Sequence, residues 1–246
     1  MPLMGAISQV GGGLRVESPV TETLFWRESS LHDEAVTGGV PVEFRLVYQG
    51  SLPAAKSGQV DGGRRVIKHA IRKEIHKQLA KIWNQRSALS FWIQERVGRR
   101  PETNEEFKFR IADKWIKKYR RFGFNFLPLV TEEAGLACSI DILFLRPDVP
   151  GKIVDSTGDI DNRIKVLFDG LRIPRHADEV EGYSPAAEEN PFFCLLEDDS
   201  LINEIKVTTD RLLTASANND EVLLILHIRT LVVEPGRTRE FLEFYL

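Results

Sequence analysis

The most regular hydrophobic pattern in the chain covers residues 64–83, where apolar side chains recur every three or four positions. This spacing predicts a helix, because positions three and four apart lie on one helical face. The apolar positions are Ile67, Ile71, Ile75, Leu79 and Ile82 or Trp83. Lysine and arginine dominate the other positions, so the helix is expected to present a basic face. His69 and His76 lie two turns apart on this helix and are expected to face solvent.

Other stretches carry patterns that are typical of β-strands. They are residues 41–49, 124–130, 136–145, 200–208 and 221–233. The last of these is almost wholly apolar, which favours a central position in a sheet. Residues 84–101 are expected to be helical, and residues 105–122 to form a second basic helix with an aromatic-rich apolar face. Together these elements predict an α/β fold (mixed α+β), with a mixed sheet of about four or five strands and helices mainly on one face.

Composition narrows the class of protein without indicating an activity. The 246 residues are 42% apolar and 28% charged, as in soluble globular proteins. No apolar run could span a bilayer and no signal-peptide pattern opens the chain, so we expect a cytoplasmic protein with no membrane partner. Cys138 and Cys194 have no metal-ligand spacing, and Cys138 is expected to be a reduced core thiol. The glycine clusters lack the lysine-serine context of a phosphate loop, so no nucleotide cofactor is expected.

Charge is distributed very unevenly along the chain. Residues 64–121 contain 18 lysine or arginine residues and 6 aspartate or glutamate residues, whereas the whole chain has a net charge of −3. A separated basic segment of this kind predicts contact with nucleic acid. The positions expected to contact phosphates are Arg64, Arg65, Lys68, Arg72, Lys73, Lys114, Lys117, Lys118, Arg120 and Arg121. The alternative interpretation is a solvated helical face that happens to be rich in lysine and arginine.

Candidate chemistry concentrates in residues 158–171, which contain Asp159 and Asp161 near their start and continue as an amphipathic helix pattern. The apolar residues of this segment recur at helical spacing, which predicts that one side of the helix is buried. At about 100° per residue, Asp161, Lys165 and Asp169 form a polar stripe beside that apolar face. The carboxylates are therefore expected where a loop enters a helix.

A second acidic pair, Asp198 and Asp199, follows downstream. Hard divalent cations such as Mg²⁺ take oxygen ligands, commonly carboxylates together with waters and phosphate oxygens. Carboxylates from two elements would meet that requirement, and Lys165 would lie close enough to contact a phosphate. The alternative is structural: Asp159 or Asp161 would cap an ordinary helix, and the second pair would lie in a turn.

The residues of these two segments resemble those of the RusA-type Holliday junction resolvases. The pattern of that family is D-x-D-N, a lysine four residues past the second aspartate, a later aspartate in the same helix, and D-D before a strand. The matching positions here are Asp159, Asp161, Asn162, Lys165, Asp169, Asp198 and Asp199. The resemblance covers about residues 40–232. It implies a RusA-like nuclease domain over residues 40–246, with insertions near 84–125 and 172–192. Residues 1–39 contain glycine clusters and show poor periodicity, so they are expected to be a loosely ordered extension.

The resemblance also implies a chemistry. The metal ligands would be Asp159, Asp161, Asp198 and Asp199. Lys165 would be the catalytic lysine beside Asp159, Asp161 and Asp199, and Asn162 and Asp169 would support the site. The implied cofactor is Mg²⁺, or Mn²⁺ in its place. The implied function is an endodeoxyribonuclease that cuts Holliday junctions or other branched DNA in recombination and repair, as a homodimer with two equivalent sites.

Two alternatives stay open at this point. A non-catalytic DNA-binding protein on the same scaffold would keep the basic helices while residues 172–192, here called the acidic insert, block or replace the site. A metal-dependent nuclease could instead act on flaps or RNA. The acidic insert is rich in acidic residues, proline and glycine, which predicts little regular structure. It is expected to be either an ordinary surface loop or a segment that shapes the substrate site.

Overall fold

The computed structural model describes residues 42–53, 62–85, 95–99, 106–110, 112–147, 160–214 and 220–237. For residues 95–99 and 106–110 it describes the backbone alone. These ranges fall within one unit of the chain, Val36–Leu246. The predicted extension over residues 1–39 and the predicted metal ligand Asp159 lie outside the described residues.

The described residues form strands and helices in a mixed order. The strands are β1 (Glu43–Ser51), β2 (Glu95–Arg99), β3 (Glu106–Arg110), β4 (Arg120–Arg121), β5 (Phe124–Val130), β6 (Leu136–Arg146), β7 (Phe192–Leu196), β8 (Ile202–Arg211) and β9 (Glu221–Val232). The α-helices are α1 (Gly62–Gln85), α2 (Ala112–Lys118) and α3 (Ile160–Leu171). Short 3-10 turns occur at Ala177–Glu179, Ala187–Glu189 and Asp199–Leu201.

The largest sheet has four strands in the order β1–β9–β6–β8. β9 pairs antiparallel with both of its neighbours, whereas β6 and β8 run parallel, so the sheet is mixed. The predicted mixed α+β fold is therefore confirmed, and β9 has the central position that its apolar sequence predicted. A three-stranded sheet in the order β4–β5–β7 and a hairpin of β2 and β3 make up the rest of the described sheet structure.

Within residues 84–122 the helical prediction was wrong for the described stretches 95–99, 106–110 and 120–121, and it was confirmed for Ala112–Lys118. Residues 95–99 form β2 rather than part of a helix, and they pair antiparallel with β3. The predicted second basic helix is divided into β3, the short helix α2 and β4. The sequence of β3, EFKFR, alternates polar and apolar residues. This is a strand pattern, and pairing with β2 supplies the backbone hydrogen bonds that the helical interpretation had assigned within the segment.

One face of the four-stranded sheet packs into the core together with α1 and α3. Along β1, Phe44, Leu46 and Tyr48 are buried and the residues between them are exposed. The α1 side chains in the same core are Ile71, Ile75, Leu79 and Trp83, as the helical spacing predicted. Burying each large apolar side chain contributes roughly 1.5–3 kcal/mol. Cys138 lies in this core as a free thiol, as predicted.

The helices α1 and α3 approach each other closely at Gly170. A Cβ atom at this position would lie 2.5 Å from Cγ2 of Ile71, closer than real Cβ atoms approach a neighbour. A side chain at position 170 would therefore push the two helices apart. Because of this close approach, α3 packs against α1 and the polar residues of the two helices lie side by side.

Strand β7 positions the second acidic pair. All of its side chains are buried, and it runs parallel to β5. Directly after α3, Arg172 forms a parallel bridge with Leu196, and the Ile173 N–H donates a hydrogen bond to the Leu196 carbonyl at 3.1 Å. The end of α3 and the end of β7 are therefore joined through their backbones, just before Asp198.

Candidate active site

The start of α3 presents Asp161 and Lys165 to solvent. Ile164, Leu167 and Leu171 of the predicted apolar face are buried. Of the polar stripe predicted beside that face, Asp161 and Lys165 are exposed and Asp169 is half-buried. Lys165 Nζ lies 3.7 Å from Asp161 Oδ2, and the two side chains are 73% and 56% exposed. The Asn162 N–H donates a hydrogen bond to Asp161 Oδ1 at 2.8 Å. Both charged groups are accessible to a ligand that approaches from solvent.

Asp169, in the last turns of α3, belongs to an ion-pair cluster. Lys68 Nζ lies 2.7 Å from Asp169 Oδ2. The guanidinium of Arg172 donates a hydrogen bond to Asp169 Oδ1. Burial alone would raise the pKa of Asp169, but the hydrogen bonds and charges of Lys68 and Arg172 outweigh it and lower the pKa. Asp169 therefore stays ionised and joins α3 to α1.

Asp198 and Asp199 are held by Arg175, an arrangement named here the Arg175 clamp. Arg175 donates to Asp198 through Nε at 2.9 Å and Nη2 at 2.7 Å, and to Asp199 through Nη2 at 2.5 Å. The Ser200 N–H also donates to Asp198 Oδ1, at 3.1 Å, which caps the turn Asp199–Leu201. The Arg175 hydrogen bond lowers the pKa of Asp198, and Asp198 in turn raises the pKa of Arg175. A cation of the protein itself thus balances one of the two negative charges of the acidic pair.

The described contacts bring this acidic pair to the C-terminal end of α3. Arg172, which bonds to Asp169, has its Nε 3.9 Å from Asp199 Oδ2. Asp161 begins the same helix, and at about 1.5 Å of rise per residue it lies about 12 Å from Asp169 along the axis. Among the described residues the ion-pair partner of Asp161 is Lys165, whereas those of Asp199 are Arg172 and Arg175. Their predicted convergence at one cation therefore stays a prediction.

The candidate ligands suit a hard cation in their chemistry, because carboxylate oxygens are what Mg²⁺ prefers. They do not complete a site by themselves: in the ranges that the structure describes, no group of three metal-ligating side chains occurs. Asp159 lies outside those ranges. Asp161 is open to solvent, whereas Arg175 occupies oxygens of Asp198 and Asp199. A cation that used Asp198 or Asp199 Oδ1 would therefore compete with Arg175.

Arg72 on α1 is buried, contrary to its predicted contact with DNA. Its side chain is 1% exposed, and Nη2 lies 2.6 Å from Glu179 Oε2. The same nitrogen donates a hydrogen bond to the backbone carbonyl of Asp169 at 2.7 Å. The predicted phosphate contact of Arg72 is therefore wrong, because the guanidinium points into the protein and is used by a carboxylate and a carbonyl.

Other cations of α1 also have acidic partners. The pairs are Arg65 with Glu181 at 2.5 Å, Lys68 with Asp169 at 2.7 Å and Lys73 with Glu189 at 3.0 Å. With Glu179 as the partner of Arg72, three of the four acidic residues that α1 cations contact outside their own helix belong to the acidic insert. The Arg72 and Arg65 partners lie 107 and 116 residues away along the chain. The pattern of residues within α1 could therefore not reveal that carboxylates from distant segments pair with its basic face.

The acidic insert packs against α1, and it does so through the two histidines. The His69 ring stacks on Tyr183 with their centroids 3.9 Å apart. His76 Nε2 lies 3.3 Å from the backbone carbonyl oxygen of Glu188, and its Nδ1 accepts a hydrogen bond from the Phe193 N–H of β7 at 2.9 Å. Both histidines are buried, so the expectation that they face solvent was wrong. Burial, with the nearby charges of Arg72 and Lys73, lowers the pKa of His69 to about 4, so this ring is neutral at physiological pH.

The second basic segment keeps its cations at the surface. The α2–β4 cluster, as it is called here, consists of Lys114, Lys117, Lys118, Arg120 and Arg121, all of them exposed. Lys118 Nζ lies 2.6 Å from Glu133. Phe122 follows directly, 40% exposed, with a left-handed φ of 51°. The accessibility of these side chains is compatible with phosphate contact, and the contact itself stays a prediction.

Sequence analysis missed two residues of this region, Arg172 and Arg175. Both lie within four residues of the end of α3 and three positions apart. This position close to the acidic motif was the sequence signal that could have identified them. Their importance depends on carboxylates that β7 delivers later, since Arg175 and Asp198 are 23 residues apart. A search that paired every arginine near the motif with the second acidic pair would have included both.

Comparison with protein-family models, with curated proteins and with solved structures found no match to this chain. The RusA-type resemblance therefore rests on the residues of the two acidic segments alone. In the part of the chain that the structure describes, no helix combines the length and the apolar character that a membrane crossing requires.

Proposed function

We propose that this protein is a divalent-cation-dependent endonuclease that cuts branched DNA, with Mg²⁺ or Mn²⁺ as its cofactor. The observation that carries the proposal is the exposed Asp161–Lys165 pair at the start of α3. The turn that carries Asp199 packs against the same helix. Carboxylates to hold a cation and a lysine to contact phosphate are the side chains that phosphodiester hydrolysis needs. The resemblance to RusA-type resolvases supports the same function.

The proposed cation ligands are Asp159, Asp161 and Asp199, with Asp198 beside them. When bound, the cation supplies positive charge that stabilises the transition state and favours ionised water. Lys165 would contact a non-bridging oxygen of the scissile phosphate. There its charge would offset the negative charge that develops as water attacks phosphorus. The phosphorus–oxygen bond to the leaving strand then breaks, which leaves one end with a phosphate and the other with a hydroxyl group.

The α2–β4 cluster is the proposed binding surface for the DNA backbone. Lysine and arginine contacts to phosphate release condensed counterions, which drives binding without reading the base sequence. Phe122 lies beside Arg121 at the tip of the turn between β4 and β5. A left-handed backbone costs a non-glycine residue roughly 1–2 kcal/mol. An exposed aromatic ring kept there among cations suits stacking on an unpaired base, as a branched DNA provides.

The proposal includes a homodimer and a cytoplasmic location. Resolution of a four-way junction needs paired incisions, and a two-fold assembly presents two equivalent sites to the two strands. Light scattering coupled to size-exclusion chromatography measures the assembly directly. A monomeric protein that still cuts junctions would remove the dimer from the proposal.

The central test is cleavage of labelled four-way, flap, linear and single-stranded DNA and of matched RNA, each with Mg²⁺ and with EDTA. We expect cation-dependent cleavage that favours branched DNA. Asp161→Asn and Lys165→Ala should each reduce the rate by about 10²–10³-fold, as the loss of one electrostatic group does at other active sites. Asp141→Asn is the matched control, because Asp141 also pairs with a lysine, Lys206, at 3.3 Å. Equal cleavage by Asp161→Asn and Asp141→Asn would contradict the proposed site.

A non-catalytic DNA-binding protein is the second candidate, and the Arg175 clamp is the observation that favours it. Arg175 already bonds to both carboxylates and balances one of their two negative charges, a role that a metal ion would otherwise fill. Such a protein would bind four-way DNA equally well in Mg²⁺ and in EDTA and would cut none of the substrates. That result would replace the nuclease proposal.

A further inference from the structure

We propose that Arg175 is the internal counter-cation of the Asp198–Asp199 pair, and that a divalent cation binds this pair by displacing the guanidinium. This role rests on the proposed function, since it needs a cation at the second acidic pair. The displaced guanidinium would then be available to a phosphate of the DNA substrate. Arg175 would thus be a positioning residue that couples cation binding to substrate binding.

The first step is electrostatic. Carboxylates on adjacent residues repel each other unless positive charge lies between them. Arg175 Nη2 donates to Asp198 Oδ1 at 2.7 Å and to Asp199 Oδ1 at 2.5 Å. A single nitrogen therefore bridges the two carboxylates, at the point to which a shared cation would also be attracted. The guanidinium and a divalent cation carry charge of the same sign, so they compete for these oxygens.

Arg175 can leave the carboxylates, whereas Arg172 is fixed. The side chain of Arg172 is 5% exposed and bonds to both Asp169 and Glu179. The side chain of Arg175 is 45% exposed. In the described part of the chain, the guanidinium of Arg175 bonds only to the acidic pair. Displacing it therefore breaks no bond to the core.

The backbone of Arg175 stays in place when its side chain moves. The Arg175 N–H donates to Glu179 Oε1 at 2.8 Å. Glu179 is itself buried between Arg72 and Arg172. Rotation about the side-chain bonds is then sufficient to carry the guanidinium from the carboxylates into solvent. An arginine freed at this edge has the planar, forked geometry that binds a phosphate through two hydrogen bonds.

The test is the binding of Mg²⁺ and of Mn²⁺ to the full chain without DNA, measured by isothermal titration calorimetry. We expect Arg175→Gln to bind either cation about tenfold more tightly than the wild type, because the competing charge is gone. Asp199→Asn should bind more weakly. Arg237→Gln is the matched control, since Arg237 is 48% exposed and pairs with Glu234 at 2.7 Å. This control should bind cations as the wild type does.

A second measurement uses the wild-type protein, so it does not depend on how well a variant folds. Phenylglyoxal modifies accessible guanidinium groups, and mass spectrometry of peptides reports the rate at each arginine. Mg²⁺ should raise the rate of modification at Arg175 by several-fold and leave the rate at Arg237 unchanged. Arg172, which is buried, should stay protected under both conditions.

The outcomes separate this role from the proposed function. Equal cation affinities for the wild type and Arg175→Gln, with no effect of Mg²⁺ on the modification of Arg175, would overturn the displacement. If Asp161→Asn then still abolished cation binding, the nuclease proposal would stand without it. An absence of cation binding in every variant would overturn both. Tighter binding by Arg175→Gln that the additional change Asp199→Asn removes would support both.

Discussion

Two basic segments that look alike in sequence occupy different environments in the folded chain. Four cations of α1 lie against acidic side chains of the acidic insert and of α3; they are Arg65, Lys68, Arg72 and Lys73. The α2–β4 cluster lies on the surface, where Lys118 pairs with Glu133. The number of lysine and arginine residues in a segment therefore does not identify a nucleic-acid surface. What decides is which carboxylates the fold brings to them.

The energetics of the two segments differ for the same reason. Burying the Arg72 guanidinium costs several kcal/mol in lost hydration, which its partners must offset. Glu179 offsets part of it, and although burial alone would raise the pKa of Glu179, the charges of Arg172 and Arg72 and the Arg175 N–H lower it. Both charges are therefore retained inside the protein. These four cations of α1 hold the acidic insert and α3 in place, whereas those of the α2–β4 cluster are accessible to a ligand.

The largest expected effect on stability comes from Arg72→Leu. Removing the cation leaves Glu179 buried with Arg172 as its remaining charged partner, so we expect the free energy of unfolding to fall by about 3–5 kcal/mol. Urea denaturation followed by circular dichroism measures this. Lys77→Leu is the control on the same helix, since Lys77 is exposed, and it should change stability by less than about 0.5 kcal/mol. If Arg72→Leu were as stable as the wild type but bound DNA more weakly, Arg72 would serve DNA binding rather than stability. That result would contradict the difference between the two segments.

The next largest effect is expected on DNA binding, from reversing three charges of the α2–β4 cluster. The triple variant Lys117→Glu, Arg120→Glu and Arg121→Glu should bind four-way DNA about 10–100-fold more weakly at low salt. The log–log dependence on salt should become shallower by about 0.9 for each phosphate that the variant no longer neutralises. Its unfolding free energy should stay within about 0.5 kcal/mol of the wild type, because these side chains are exposed. Unchanged affinity and salt dependence would make the cluster a solvated surface.

A pH series should separate the segments further, because only the α1 interface contains a buried histidine. The pKa of His69 is about 4, below its ordinary value of 6.5. Between these values the unfolded chain binds a proton there and the folded chain does not, so stability falls as the pH is lowered from 6.5 towards 4. The slope from this one group is at most about 1.4 kcal/mol per pH unit. Urea unfolding at pH 7, 6 and 5 measures it.

The control for this prediction is His69→Phe, which keeps a ring beside Tyr183 but cannot bind a proton. In this variant the slope of the unfolding free energy against pH should be smaller by the contribution of one titrating group. An identical slope in the wild type and in His69→Phe would show that other groups cause the acid sensitivity. The lysines and arginines of the α2–β4 cluster do not titrate in this range.

Most of the fold was predictable because the buried side of a helix or strand requires apolar residues at regular spacing. That spacing can be read from the sequence. The apolar stripe of α1 and the nearly all-apolar β9 each satisfy a single period, so the helix and the central strand were found. The strands at residues 95–99 and 106–110 were not, because their short patterns of apolar residues fit both a helix and a strand. The pairing of β2 with β3 favours the strand conformation, and this pairing is an interaction between two segments that neither sequence shows alone.

The candidate site was predictable only where one helix sufficed. Asp161 and Lys165 are exposed together because they lie four residues apart on the polar side of α3. The Arg175 clamp joins residues 23 positions apart, and the bond of Arg72 to Glu179 joins residues 107 positions apart. No local pattern encodes such pairs. They depend on the paths of β7 and of the acidic insert.

The smallest effects, and the closest comparison, come from two exposed ion pairs, one in each segment. Arg65 lies 2.5 Å from Glu181, and Lys118 lies 2.6 Å from Glu133. Arg65→Gln and Lys118→Gln should each change the unfolding free energy by less than about 1 kcal/mol, because exposed pairs contribute little. Only Lys118→Gln should weaken DNA binding, and its salt slope should fall by about 0.9 because one phosphate is no longer neutralised.

Fluorescence anisotropy titrations at several salt concentrations measure both quantities for these two variants. The pairs are matched in distance and each includes a glutamate, so a difference in DNA binding cannot come from the loss of an ion pair as such. It would have to come from the position of the cation relative to the DNA. Equal weakening by Arg65→Gln would place α1 in the DNA interface, because the outer end of its basic face would then contact phosphate despite Glu181.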